Sequence, residues 1–457
     1  MQLPNSLKAP GLIQSFQFFR NPTGFLDKVA QKYPDIFSGK FFVGQDCVFV
    51  QHPQGIEEFF NNERKKFGLC DNPSVQTLIG PNAITSLMGV EHKRQRKLMM
   101  PCFHGERMQS YGQQICDLTE KILSEMPLEQ TFSSHELMED ISLQVMLKVV
   151  FGIDSGETYD KLRQLLPLNL ELLTSPFVLS MVFVPFIRRY LGAWTPWGKF
   201  VQIRQEVDEL IYALIASRRN QPDPERNDVL SLLIEAKDEE GQSMTDRELR
   251  DQLITLLFGG HETTVAGMTW ALYWTHYIPE IGEKLRQELD SLGENPQPMS
   301  IFKLPYLTAV CKESLRYYHP GLIIVPRVVQ EPVEILGHRL EPGTRLIACT
   351  YLLHHREDIY PQNQEFIPER FIDKQYAPYE FLPFGGGLRR CIGEALAMFE
   401  MKLVVATIMS RYQLRLDERK PVGAKFHGFT LGPATQVKMS LTQKRRTQKS
   451  LETAASN

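Results

Sequence analysis

The run FGGGLRRCIG, Phe384–Gly393, holds the most specific chemistry in the chain. Gly385, Gly386 and Gly387 permit a tight loop in which backbone can approach a flat ligand closely. Beyond the loop, Glu394–Leu416 (EALAMFEMKLVVATIMSRYQLRL) has helical periodicity, so Cys391 stands at the mouth of a helix. There the positive end of the dipole and free N–H donors favour thiolate over thiol, and Arg389 and Arg390 push the same way. A thiolate so held is a good ligand for haem iron. A cysteine that only fills a core needs neither a triple glycine nor two arginines beside it.

Working outward, the 457 residues exceed the ceiling of about 250–300 for a single core, which taken alone favours two or three domains. Yet there is no internal repeat and no Gly/Ser linker, and Gln221–Asn227 (QPDPERN) reads as a surface loop. The expectation is therefore one large α-rich domain with small sheets over 1–441, followed by a polar, disordered tail at 442–457. Phe41–Val50 (FFVGQDCVFV) reads as strand ended by His52-Pro53, and from Ile56 onward the chain reads as mostly helical. Lys+Arg is 51 and Asp+Glu 54, giving a net charge of −3, so nothing argues for nucleic acid or for disorder. Seven scattered cysteines without a C-x-x-C pair fit a reducing compartment. The opening MQLPNSLKAPGLIQSFQFF lacks a spanning apolar stretch, and the expected location is cytoplasmic.

The clearest helix is Thr245–Tyr277, where Thr245 and Glu248 form a T-x-x-E capping box. Its middle carries a flaw. Gly259 and Gly260 each cost roughly 1 kcal/mol relative to alanine, and the hydroxyls of Thr263 and Thr264 compete for backbone carbonyls. Close helix packing through the glycines and a functional distortion both account for this.

Phe384, Gly387, Arg389, Cys391 and Gly393 fill every fixed position of F-x-x-G-x-R-x-C-x-G, and the chain thereby resembles the cytochrome P-450 family. The resemblance implies a mostly α fold with small β-sheets, haem b as cofactor, Cys391 as iron ligand and Phe384 against the haem. Further motifs follow in the family's order. Glu313 and Arg316 in ESLR resemble its E-x-x-R, and Arg370 in PERF completes a structural network. Without the resemblance, a pair at i and i+3 reads as a surface ion pair. GGHETT, Gly259–Thr264, resembles the oxygen-activation motif, which makes Thr263 the hydrogen-bonding hydroxyl and Glu262 the proton relay, with a groove for O2 opened by a distorted helix; His261 is read as scaffold. In EHKRQRK, His92 and Arg96 share a helix face and are expected to bind a haem propionate, as are Arg389 and Arg327.

The same resemblance places Leu78, Ile79, Phe258, Gly259, Ile323, Ile324 and Leu431 in the substrate pocket. They are apolar, so a fatty acid, alkane or terpenoid is expected, with long-chain fatty-acid hydroxylation first. The apolar stretch Leu165–Ile187 falls where the family roofs its substrate channel, and Pro167, Pro176 and Pro185 keep it from being one spanning helix. It reads equally as buried core or as a roof, with peripheral membrane contact through 175–187. No reductase is attached, so electrons are expected from a separate ferredoxin and its reductase. Lys93, Arg94 and Lys97 form a candidate basic patch for that acidic donor. Two alternatives stand. One is a haem-thiolate peroxygenase or rearrangement enzyme, branches that usually lose the acid–Thr pair present here. The other is a non-catalytic haem sensor.

Overall fold

The helix Asp246–Tyr277 organises the core of this computed structural model, which describes residues 3–41, 45–70, 76, 78–105, 107–174, 195–427 and 430–445. Thr245 caps it through a complete capping box with Glu248. Every residue from Thr264 to Thr275 is buried, as befits a helix enclosed on all sides. The helices Ser134–Val149, Pro305–Tyr317, Pro279–Asp290 and Glu394–Arg411 pack around it. The closest approach is at Gly267, where a Cβ would come within 2.8 Å of Met401 Cε. Close packing through glycine thus operates at Gly267. At Gly259 a Cβ would meet nothing, and at Gly260 it would only touch Met146.

The expected distortion at Gly259-Gly260 is not seen: the helix runs through both residues unbroken. The Thr263 hydroxyl donates back to the Gly259 carbonyl at 2.6 Å, a bond the helix accommodates without opening.

A five-stranded sheet lies to one side, in the order Ile36–Phe41, Gln45–Val50, Arg345–Ala348, Arg327–Val329, Phe67–Leu69. The short strands expected here are present: Ile36–Phe41 and Gln45–Val50 form an antiparallel pair in register Ile36↔Val50. His52 does end it, and caps the next helix, Pro53–Lys66. Two helices, Gly11–Arg20 and Pro22–Lys32, precede the sheet and were not expected.

Glu394–Leu416 is not all helix. The helix stops at Arg411 and Tyr412–Leu416 is a strand. Its YQLRL alternates, with Tyr412 and Leu414 buried and Gln413 and Arg415 exposed, a period of two that overrides the helical run before it. Its partner strand Lys438–Lys444 passes beyond Leu441, pairing Gln443 with Gln413 and Lys444 with Tyr412, so the ordered chain outlasts the expected boundary. Pro167 does not break the apolar stretch either. It sits inside the helix Glu157–Thr174, which Leu162, Leu166 and Leu170 anchor in the core. Residues 175–187 lie outside the described residues. Among the described residues no helix is long and apolar enough to cross a membrane.

One core residue makes stability depend on pH. Glu400 is 1% exposed, and burial pushes its carboxyl up from 4.5 to about 8, against the lowering influence of the neighbouring Ser142 hydroxyl. Between those values the unfolded chain ionises while the folded chain stays neutral, so stability is full below the lower value and declines as pH rises through the window. Glu400→Gln removes this ionisation. The thermal midpoint of the variant should therefore gain on wild type between about pH 5 and pH 8. A gap that is constant over that range would show that Glu400 is ionised in the fold.

Candidate active site

The cysteine loop is built by its glycines and by one neighbouring helix. Gly385 and Gly387 adopt φ of +67° and +64°, which suits glycine. A Cβ at Gly386 would strike the Phe60 ring, and one at Gly387 would meet Glu63 Oε2 at 2.2 Å. The glycines therefore let the loop lie against the helix Pro53–Lys66. The Cys391 N–H donates to the Phe384 carbonyl at 2.9 Å, closing the loop at its base. Phe384 is partly buried against the main core.

Cys391 presents its sulfur at an exposed surface, yet protein crowds it enough that burial pushes the thiol pKa up. N–H groups of Gly393 and Glu394 and the charge of Arg96 act in the opposite direction but do not win. This corrects the expectation that the surroundings alone favour thiolate. Arg390 is held by Glu394 in a bidentate pair at 2.6 and 2.7 Å, and Arg389 donates to the carbonyls of Ile84 and Leu87. Arg390 still feels the charge of Cys391, but both guanidinium groups spend their hydrogen bonds elsewhere. A cation on the ligand side of the thiol, such as a metal, would supply the missing stabilisation.

A cluster of nitrogen-bearing side chains, with Arg96 nearest in effect to the thiol, stands at the loop. His92 and Arg96 come from the helix Gly89–Met99, Arg327 from its strand and Arg389 from the loop. Arg96 also donates to the Arg390 carbonyl at 2.7 Å. These groups feel one another. Burial pushes the His92 imidazole down to about 4, helped by Arg389, Arg96 and Arg327. Burial also brings Arg389 down to about 10, helped by Arg327 and Arg96. A carboxylate, Glu63, stands among them and accepts from Arg327 at 3.0 Å and from the Leu388 N–H at 2.8 Å. Glu63 is 5% exposed, and sequence reading missed it. It sits in NERKK, which reads as a solvated charge run, and no signal in the sequence distinguishes it.

On the central helix, Glu262 and Thr263 are both half-buried. Burial pushes Glu262 up from 4.5 to about 7, and the neighbouring charge of Glu139 adds to this. His261 is buried, its Nδ1 has no hydrogen-bond partner among the described residues, and burial holds it down at about 4, so it is neutral.

Glu313, Arg316 and Arg370 form one buried network rather than a surface pair. Arg316 grips Glu313 at 2.7 and 2.8 Å, Arg370 reaches the same carboxylate at 3.1 Å, and the Ile367 N–H adds a bond of 2.9 Å. Glu313 and Arg316 are wholly buried.

The expected pocket residues divide. Leu78, Ile79 and Phe258 share one apolar cluster with Trp197 and Phe200. Ile323 packs with Leu431 in a second cluster, and Ile324 joins a third. Leu431 is fully buried there, so its side chain lines no open surface, and its carbonyl accepts from Trp270 Nε1. Gly259 is exposed. The basic patch is also altered. Lys93 and Lys97 do reach the surface, but Arg94 is tied to Asp238 and Glu248 at 2.6 and 2.9 Å, and Lys97 pairs with Glu239. The acids of the 238–248 segment neutralise most of the charge expected to steer a donor.

An accessible thiol with four cationic or neutral nitrogen donors clustered at its loop suits a planar metal complex that carries carboxylates, and this defines the class as a haem protein with a thiolate ligand. The comparisons agree. The family model "Cytochrome P450" matches residues 1–439. "Putative cytochrome P450 135B1" of Mycobacterium bovis is 32% identical over 417 residues, 91% of this chain and 86% of that protein. "Putative cytochrome P450 138" of Mycobacterium tuberculosis is 29% identical over 94% of this chain and 93% of that protein. The solved structure "Retinoic acid bound cyanobacterial CYP120A1" superposes with a TM-score of 0.83 at 23% identity, covering 96% of this chain and 99% of that one. The chain belongs to the cytochrome P450 family. It is a haem b enzyme of the monooxygenase type.

Proposed function

We propose that this enzyme inserts one oxygen atom of O2 into a lipophilic substrate, drawing electrons from a separate ferredoxin and its reductase. The reading is of one catalytic domain in which each residue has a defined task. The bound haem supplies the iron at which O2 is reduced. Cys391 would be the ligand that holds that iron. His92, Arg96, Arg327 and Arg389 bind the haem carboxylates, and Glu63 orients Arg327. Leu78, Ile79 and Phe258 exclude water and hold hydrocarbon. A long-chain fatty acid is the first candidate, ahead of alkanes and terpenoids. The neighbour solved with retinoic acid bound is compatible with a substrate of this kind.

The observation that carries the reading is that Glu262 and Thr263 stand in succession, both half-buried, on the central helix. A carboxyl held at about 7 can both take up and release a proton near neutrality, which suits a relay. The Thr263 proton goes to the Gly259 carbonyl, and its oxygen keeps lone pairs to accept from the relay. Reduction of O2 needs two protons brought in from outside, whereas a peroxide carries its own, so a relay favours O2 activation over peroxygenase or rearrangement chemistry and over a haem sensor.

Thr263→Ala tests it. The variant should keep haem and the substrate-induced Soret shift, while product per NADPH falls and peroxide rises. A lost proton-delivery group costs about 10²–10⁴ in rate. Unchanged coupling of NADPH to product would remove Thr263 from this role. Screening lipids and terpenoids for the Soret shift would identify the substrate class.

A further inference from the structure

The helix Gly11–Arg20 is amphipathic the wrong way round for a surface in water. Its inward stripe is Gln14 and Phe18. Gln14 is 2% exposed and locks the helix in place, donating to the Leu7 and Ala9 carbonyls and accepting from the Lys40 N–H. Its outward stripe is Leu12, Phe16 and Phe19, with Ile13 beside them. These are 83%, 64%, 58% and 47% exposed. Elsewhere among the described residues, large exposed apolar side chains are scattered along the chain, and no other element presents four. A contiguous apolar patch of this kind marks a binding surface.

The charges around it select the partner. Arg20 lies on the outward arc and Lys8 just ahead of the helix, both exposed and neither in an ion pair among the described residues. No Asp or Glu occurs before Asp27. Lys40 is also near, but Asp46 faces it across the strand pair, so it adds little. A second copy of the chain would set these cations against their like. A face of Leu, Ile and Phe edged by Arg and Lys, with no acid, matches apolar chains beneath negative headgroups.

We propose that the outward face of Gly11–Arg20 docks this enzyme on an anionic lipid surface. The helix lies in the interface, its apolar stripe inserted and Lys8 and Arg20 at headgroup level. The docking is peripheral and reversible, since a ten-residue helix is too short to span.

The test uses haem-loaded enzyme and two vesicle types, pure phosphatidylcholine and phosphatidylcholine mixed with phosphatidylglycerol, in a sedimentation assay. Wild type should pellet with the mixed vesicles and far less with the neutral ones, and added salt should weaken this. Leu12→Ser with Phe16→Ser should lower the partition coefficient roughly tenfold to a hundredfold, because two inserted side chains are lost. Lys8→Gln with Arg20→Gln should abolish the preference for the anionic vesicles. All these side chains are exposed, so both variants should keep the reduced-CO spectrum and thermal midpoint of wild type, which separates docking from folding and from haem chemistry. Failure of wild type to pellet with mixed vesicles at low salt would overturn the proposal. So would a dimer in solution that Leu12→Ser with Phe16→Ser makes monomeric, since the face would then belong to a second copy.

Discussion

Replacing Cys391 with alanine should abolish both the absorption band that gives the family its name, seen in the reduced protein with CO, and all turnover. The loss should be complete because no other cysteine can stand in. Cys102, Cys311 and Cys349 are buried, with thiols pushed up to about 12 by burial, Cys47 is pushed up to about 11, and burial also pushes up the partly buried Cys70 and Cys116. The loop itself should survive. Its closing bond uses the Cys391 N–H, and its turns use Gly385 and Gly387, all backbone features that alanine preserves. The cationic cluster of Arg96, Arg327 and Arg389 is also untouched, so some haem should still bind, with an altered spectrum. A Cys391→Ala protein that keeps the thiolate band would sink the assignment of the iron ligand.

What could be read from the sequence was what lies in short local patterns. The cysteine loop is contiguous, and the spacing of Glu313 and Arg316 is fixed by one helix turn. The cap at Thr245 is likewise local. What could not be read depends on distant segments meeting. Glu63 is 325 positions from the Leu388 N–H that it accepts from, and its burial is decided by the loop that folds over it. Arg94 and Lys97 read as a free basic patch because the acids that neutralise them, Asp238, Glu239 and Glu248, are some 140–155 positions away. The sense of the Cys391 shift was misread for the same reason. Dipole and arginines are visible in the sequence, whereas desolvation by surrounding chain is not, and desolvation is the larger effect. The Gly-Gly pair in the central helix was over-read, since the wholly buried turns from Thr264 to Thr275 hold the helix through a local propensity loss that would open an isolated one.

Glu313→Ala should be the most damaging substitution outside the haem site. The carboxylate accepts four hydrogen bonds, from two nitrogens of Arg316, from Arg370 and from the Ile367 N–H. Those two arginines then fan out to backbone carbonyls. Arg316 donates to His354, Asn363 and Glu365, and Arg370 to Pro361 and Gln362. One buried anion thus balances two buried cations and fixes the path of 354–370, a stretch with little regular structure of its own. Removing it leaves two guanidinium groups out of water without a balancing anion, held by carbonyls and tyrosine side chains alone among the described residues. Breaking a buried pair in this way costs about 3–5 kcal/mol, a large part of the roughly 5–15 kcal/mol that holds a domain together. The variant should therefore accumulate little soluble haem protein, and what is recovered should unfold at markedly lower denaturant concentration. Glu313→Gln keeps the shape and two acceptor lone pairs, so it should fall between alanine and wild type. Neither change touches the central helix, so surviving protein should keep the product-to-NADPH ratio of wild type even as its stability drops. A Glu313→Ala protein with an unaltered denaturation midpoint would mean that the network is not holding the fold. A normal midpoint with a lost thiolate band would mean that it acts on the haem directly.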